Sequence, residues 1–83
     1  MTTDDQVSIQ ILERYACESP DGSVVEVVEQ RFQLETMTAR GLRKYPGAKF
    51  WSLSDGEQVK MIDSGMFEVV GTGEILLRRF DLL

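Results

Sequence analysis

The feature that most limits what this chain can become is an alternating segment that runs into an aspartate–glycine pair. Val7, Ile9, Ile11, Tyr15 and Cys17 occupy odd positions, with Ser8, Gln10, Arg14 and Glu18 on even ones. A period of two with β-branched residues describes a strand that buries one face. Ser19-Pro20-Asp21-Gly22-Ser23 follows. Asp-Gly at the centre of such a break signals a two-residue type I′ hairpin turn, because both positions need positive φ. With Asp21 and Gly22 as the loop, Ile9 meets Leu34, Ile11 meets Phe32, Glu13 meets Gln30 and Tyr15 meets Val28. On the opposite face Arg14 meets Glu29 and Ala16 meets Val27. Apolar lands on apolar and base on acid, so this register is the one expected.

The second strand of that hairpin is apolar on both faces. Val24, Val28, Phe32 and Leu34 lie on one, Val25 and Val27 on the other. A hairpin wetted on one side does not show this. Either a second layer of the same domain covers the Val25/Val27 face or another chain does, which makes Val25 and Val27 candidate interface residues.

Residues 34–46 read as helix or as extended chain. Leu34, Met37, Gly41 and Tyr45 lie near helical spacing, but Thr36, Thr38 and Gly41 weaken a helix and Pro46 ends one. Pro46-Gly47 reads as a loop. Phe50–Leu53, Asp55-Gly56 and Val59–Ile62 form another hairpin, for which loops of two and three residues both give tolerable pairings. After a break at Asp63-Ser64-Gly65, Gly71-Thr72-Gly73 suits a three-residue loop with Gly73 left-handed. That loop puts Val69 opposite Ile75 and Phe67 opposite Leu77.

These signals predict a mostly β fold: five to six short antiparallel strands in hairpins, forming a small barrel or two-layer roll, with room for one short helix around 35–45. The alternative is an α+β fold with that helix laid on the sheet. A flexible acidic N-terminus over residues 1–6 is expected to precede a single β-rich domain over 7–83. A chain of 83 residues buries about 63% of its unfolded surface, enough for one modest core and little for a deep, walled site.

The residue types narrow the chemistry. There is no histidine, so the commonest general base and the usual zinc ligand are missing. The single Cys17 cannot pair within the chain or build a cysteine zinc site, and on the apolar parity of its strand it reads as a small buried hydrophobe. Carboxylates stand close in sequence at Asp4/Asp5, Glu26/Glu29 and Asp55/Glu57, in a tail, on opposite strand faces and in a turn. None of these settings raises a pKa for acid–base work. Gly71-Thr72-Gly73 lacks the third glycine and the following helix of a dinucleotide site. No catalysis, cofactor or metal is therefore expected. The unpaired thiol, the acidic N-terminus and the lack of an apolar run of about 20 residues point to a cytoplasmic protein that does not enter a membrane.

Charge is distributed unevenly within the net −5. Residues 1–35 hold eight acids and two bases, and residues 55–83 hold six and three, while 36–54 carry Arg40, Arg43, Lys44 and Lys49 with no acid. Tyr45 and Trp51 interleave with these bases. Arg40, Arg43, Lys44, Tyr45, Lys49 and Trp51 are therefore candidate binding residues for an acidic protein or a nucleic acid. The net charge ranks nucleic acid second. The function expected is a non-catalytic interaction module that binds another protein or itself, through the Val25/Val27 face or the segment 40–51. Nucleic-acid binding through 40–51 is the alternative, and a small carboxylate-dependent enzyme the second.

Overall fold

The first turn is tighter in its chemistry than an Asp-Gly pair alone implies. In a computed structural model that describes residues 5–80, the Gly22 N–H donates to the Ser19 carbonyl and the Ser19 N–H to the Ser23 carbonyl, both at 2.9 Å. The loop is therefore Pro20-Asp21-Gly22. Pro20 supplies the fixed φ of the second turn position, and only Gly22 (φ 87°) is left-handed. The Asp21 carboxylate accepts from the Ser23 N–H at 2.9 Å and the Ser23 hydroxyl at 2.6 Å, and from the Ser19 hydroxyl. This side-chain clamp does the work that a second left-handed residue would do in a type I′ turn. Asp55-Gly56 repeats the design with a three-residue loop, Leu53 N–H to Glu57 carbonyl at 2.8 Å and Gly56 at φ 95°.

The extra loop residue moves the register by one, so none of the six expected pairs forms. Tyr15 faces Val27, Arg14 faces Val28 and Ala16 faces Glu26. At Leu12, strand β1 (Gln6–Glu18) carries a bulge, and beyond it Ile11 faces Gln30, Ile9 faces Phe32 and Val7 faces Leu34. A bulge inserts one residue on one strand, so side chains before and after it swap faces. Glu13, Tyr15 and Cys17 thus share a face with Val25, Val27 and Glu29, while Val7, Ile9 and Ile11 share the other with Gln30, Phe32 and Leu34.

Strand β2 (Val24–Thr38) runs straight on to a hairpin at Ala39-Arg40 and returns as β3 (Gly41–Leu53). No helix forms around 35–45. Leu34 pairs with Tyr45 and Met37 with Leu42, which excludes the α+β alternative. Pro46-Gly47 is not a loop but the start of a bulge in β3, between Pro46, opposite Gln33, and Lys49, opposite Arg31. An outer strand tolerates a residue without an N–H. Gly47 is required for space: a Cβ there would lie 3.0 Å from the Phe32 carbonyl oxygen and 3.3 Å from its Cβ.

Strands β4 (Gln58–Asp63), β5 (Met66–Val69) and β6 (Ile75–Arg78) continue the meander. Gly73 is left-handed as expected (φ 77°), but Val69 pairs with Glu74 across a four-residue loop. Phe67 consequently faces Leu76 rather than Leu77. Strand β6 pairs with β1 at Cys17 and Glu18 and closes a six-stranded antiparallel barrel. Three of the strands are long rather than short, and only part of each belongs to the barrel. Residues 6–11, 30–38 and 41–50 project beyond it as a three-stranded blade with β2 in the centre, which stretches the molecule to 53 × 27 × 20 Å. Of the acidic N-terminal segment 1–6, residues 1–4 lie outside the described residues, and Gln6 already opens β1.

The barrel core is Cys17, Val27, Val59, Phe67, Val69 and Leu76, with Tyr15, Val25, Trp51, Leu53 and Met61 packed against it. Val27 is fully buried in that core, and Val25, expected with it as an interface residue, is partly buried and packs against it. Of the two coverings their face allowed, the domain's own strands provide it. Strand β2 is apolar on both faces because its first half fills the barrel with odd residues and its second half lines the blade with even ones.

Candidate functional site

Two regions carry groups that ordinary packing leaves over. The first is the blade end of the barrel. Tyr15 stacks on Phe67 at 5.7 Å and lies under the Arg78 guanidinium, 4.4 Å from the ring centre. Its hydroxyl donates to Glu29 at 2.7 Å, and Lys49 Nζ stands 3.7 Å from the same carboxylate. Burial, the hydrogen bond to Glu29 and the charge of Glu29 push the Tyr15 hydroxyl up to about 12, against an opposing pull from Arg78. A phenol held neutral in this way donates a hydrogen bond and does not accept a proton. Burial also raises the Cys17 thiol, with Arg78 opposing, so it is held away from the reactive thiolate form.

Beside this network, β3 and β4 separate after the Trp51–Val59 pair. The cleft between them has a volume of about 450 Å³ and is lined by Lys49, Trp51, Lys60 and Met61 among others. It brings together two of the six candidate binding residues, Lys49 and Trp51. The other four do not join them. Arg40 sits at the β2–β3 turn, Arg43 and Tyr45 face one side of the blade opposite Thr36 and Leu34, and Lys44 faces the other opposite Glu35. Strand alternation scatters the basic segment over two faces. Lys44 and Lys49 stand 3.9 and 3.7 Å from Glu35 and Glu29 on β2, so the local positive charge is partly matched across the sheet. Trp51 packs against the core, its Nε1 buried without a hydrogen-bond partner.

The second region is the face of the blade that continues the outer surface of the barrel. Val7, Ile9, Ile11, Phe32, Leu34 and Tyr45 lie on it, between 39 and 69% exposed. Phe32 stacks on Phe50 at 4.6 Å, which stiffens the centre of the face. Its root ends in a groove of about 310 Å³ whose floor includes Ile11, Val28 and Gln30. The opposite face carries Ser8, Gln10, Arg31, Gln33, Glu35 and Lys44, with the exposed Met37–Leu42 pair at its tip. The blade is therefore an amphipathic sheet with no second layer among the described residues.

No family model, no curated protein and no solved structure matches this chain. Its geometry alone carries the argument. Among the described residues no group of three or more cysteines or carboxylates converges as a metal site, and no helix is long and apolar enough to cross a membrane. Glu26 and Glu29 point to opposite sides of β2, the first to Arg14 at 2.7 Å and the second to Tyr15. The apolar face was missed in the sequence because its residues look like the core side of a half-buried hairpin. The doubled apolar character of β2 was the available signal, and it pointed to a real excess on the wrong half of the strand.

Proposed function

We propose that this protein is a non-catalytic interaction module whose working surface is the apolar face of the blade. One observation carries the reading. Six large side chains that could have formed a core lie together in solvent, on regular strands, with a stacked aromatic pair at their centre. They are between 39 and 69% exposed on one face, and apolar side chains gathered in this way on a surface mark contact sites. The centre of the face carries no charge, which suits an apolar partner surface and not a polyanion. The bases of segment 40–51 are divided between two faces and partly matched by acids, so they supply a rim and not a binding track.

The test compares the wild-type chain with Phe32→Lys, a change on an exposed side chain that leaves the barrel core untouched. A protein retained by the wild type is purified and titrated calorimetrically against both forms. Binding with a negative heat-capacity change, abolished by Phe32→Lys in a chain of unaltered circular dichroism, supports the reading. Equal binding by both forms overturns it. Quenching of Trp51 fluorescence by single-stranded oligonucleotide, falling steeply with salt, would instead assign the chain to nucleic acid.

A further inference from the structure

The two long edges of the blade are guarded very differently. The β3 edge carries Arg43, Lys44 and Lys49, Pro46 without an N–H, and a bulge. Charges, proline and bulges are the devices that keep a strand edge from recruiting another chain. Between Gln6 and Ile11 the β1 edge has none of them. It reads Gln-Val-Ser-Ile-Gln-Ile, uncharged and in unbroken register with β2. Among the described residues no strand lies on its outer side until β6 arrives at Cys17. We infer that this edge pairs antiparallel with the same edge of a second copy, joining two blades into one six-stranded sheet.

Two observations select a second copy as the occupant. First, the segment is self-complementary. About a two-fold axis at Ile9, Val7 meets the partner's Ile11, Ile9 meets its own counterpart, and Ser8 meets the partner's Gln10. Facing residues in an antiparallel pair point to the same side, so all apolar side chains fall on one face and all polar ones on the other. Second, two copies of net charge −5 repel each other, and over residues 7–11 this uncharged edge sets no like charges opposite one another. Asp5 and the partner's Glu13 flank the paired stretch, so association should tighten as salt rises. The pairing uses the edge and leaves the apolar face free, so it stands or falls separately from the docking role above.

Light scattering with size-exclusion chromatography, at low and high salt, reads the state of the intact chain. The expected result is a dimer that strengthens with salt, and a monomer for Ser8→Lys/Gln10→Lys, which sets lysines opposite one another across the joint without touching the apolar face. Phe32→Lys should remain dimeric. A short bismaleimide should cross-link Ser8→Cys, which lies on the polar face beside the Gln33 carbonyl, while fully buried Cys17 stays unreacted. A monomeric wild type overturns the inference, as does a dimer that survives the double-lysine change or leaves Ser8→Cys uncross-linked. A dimer lost in Phe32→Lys but kept in Ser8→Lys/Gln10→Lys also overturns it, and shows instead that the apolar faces pack together.

Discussion

The hydroxyl of Tyr15 donates a 2.7 Å hydrogen bond to the carboxylate of Glu29, directly where the barrel gives way to the blade. Glu29 is only 9% exposed, and its remaining ion-pair partner, Lys49, stands at 3.7 Å. The bond is the main satisfaction of a carboxylate that the core otherwise desolvates. Tyr15→Phe should therefore cost about 1–3 kcal/mol, the usual penalty for leaving a buried polar group short of a partner. Chemical denaturation of the two forms measures it.

The same bond has a signature in pH. With its folded pKa raised from 10.0 to about 12, neutral Tyr15 contributes stability that is fully present below the unfolded value and lost as pH rises through the folded one. In a Tyr45→Phe chain, tyrosinate absorbance should appear only as pH nears 12, with unfolding following it. Ionisation near pH 10 in the folded protein would mean that the hydroxyl is not held by Glu29.

Glu13 stands directly across from Glu29 in the β1–β2 ladder. Like charges directly opposite in a sheet are destabilising. Glu13→Gln, a solvent-exposed change, should therefore stabilise the protein by about 0.2–1 kcal/mol. An increase in the denaturation midpoint checks it, and the increase should shrink in high salt.

At the first turn, Gly22 has a φ of 87° that an L side chain enters only with strain. Gly22→Ala should cost about 1–2 kcal/mol by thermal denaturation, although a methyl group there touches nothing. Asp21 is held down to about 2 by the hydroxyls of Ser19 and Ser23 and by the Ser23 N–H. A depressed folded pKa contributes stability above the unfolded value of about 4 and loses it as pH falls from there through about 2. The stability gap between wild type and Asp21→Ala should close over that window. A gap unchanged on acidification would show that the clamp is not formed.

Val27 and Phe32 lie on one strand and appear equally hydrophobic in the sequence, yet they should respond oppositely to charge. Val27→Lys buries an ammonium in a site with no solvent exposure, which costs more than a domain of this size has in reserve. Phe32→Lys replaces a ring that is 42% exposed and should leave the barrel folded. Far-ultraviolet circular dichroism and denaturation of the two variants make the comparison.

The mostly β character and the hairpins at Asp21-Gly22, Asp55-Gly56 and Gly73 are local properties that alternation and turn residues made legible, whereas the extended course of 34–46 and its turn at Ala39-Arg40 were not. The identity of the core was not. Val7, Ile9, Ile11, Tyr15 and Cys17 share one parity in the sequence, interrupted only by Glu13, and a period of two cannot reveal that Leu12 is an inserted residue. Nor does the basic run 40–51 show which of its side chains alternation will separate.

What the residues determined alone was where the chain turns back at the Asp-Gly pairs, at 63–65 and at Gly73, and that alternate side chains share a face; the turn at Ala39-Arg40 was not among them. Which face became core was decided only by barrel closure. Once β6 reaches β1 at Cys17, residues 15 and 17 must point inward with Val25 and Val27, and the bulge at Leu12 sends Ile9 and Ile11 outward beside Phe32. The interior of a small barrel holds few side chains. The remainder of the apolar pattern was left on a surface that only the tertiary structure could assign.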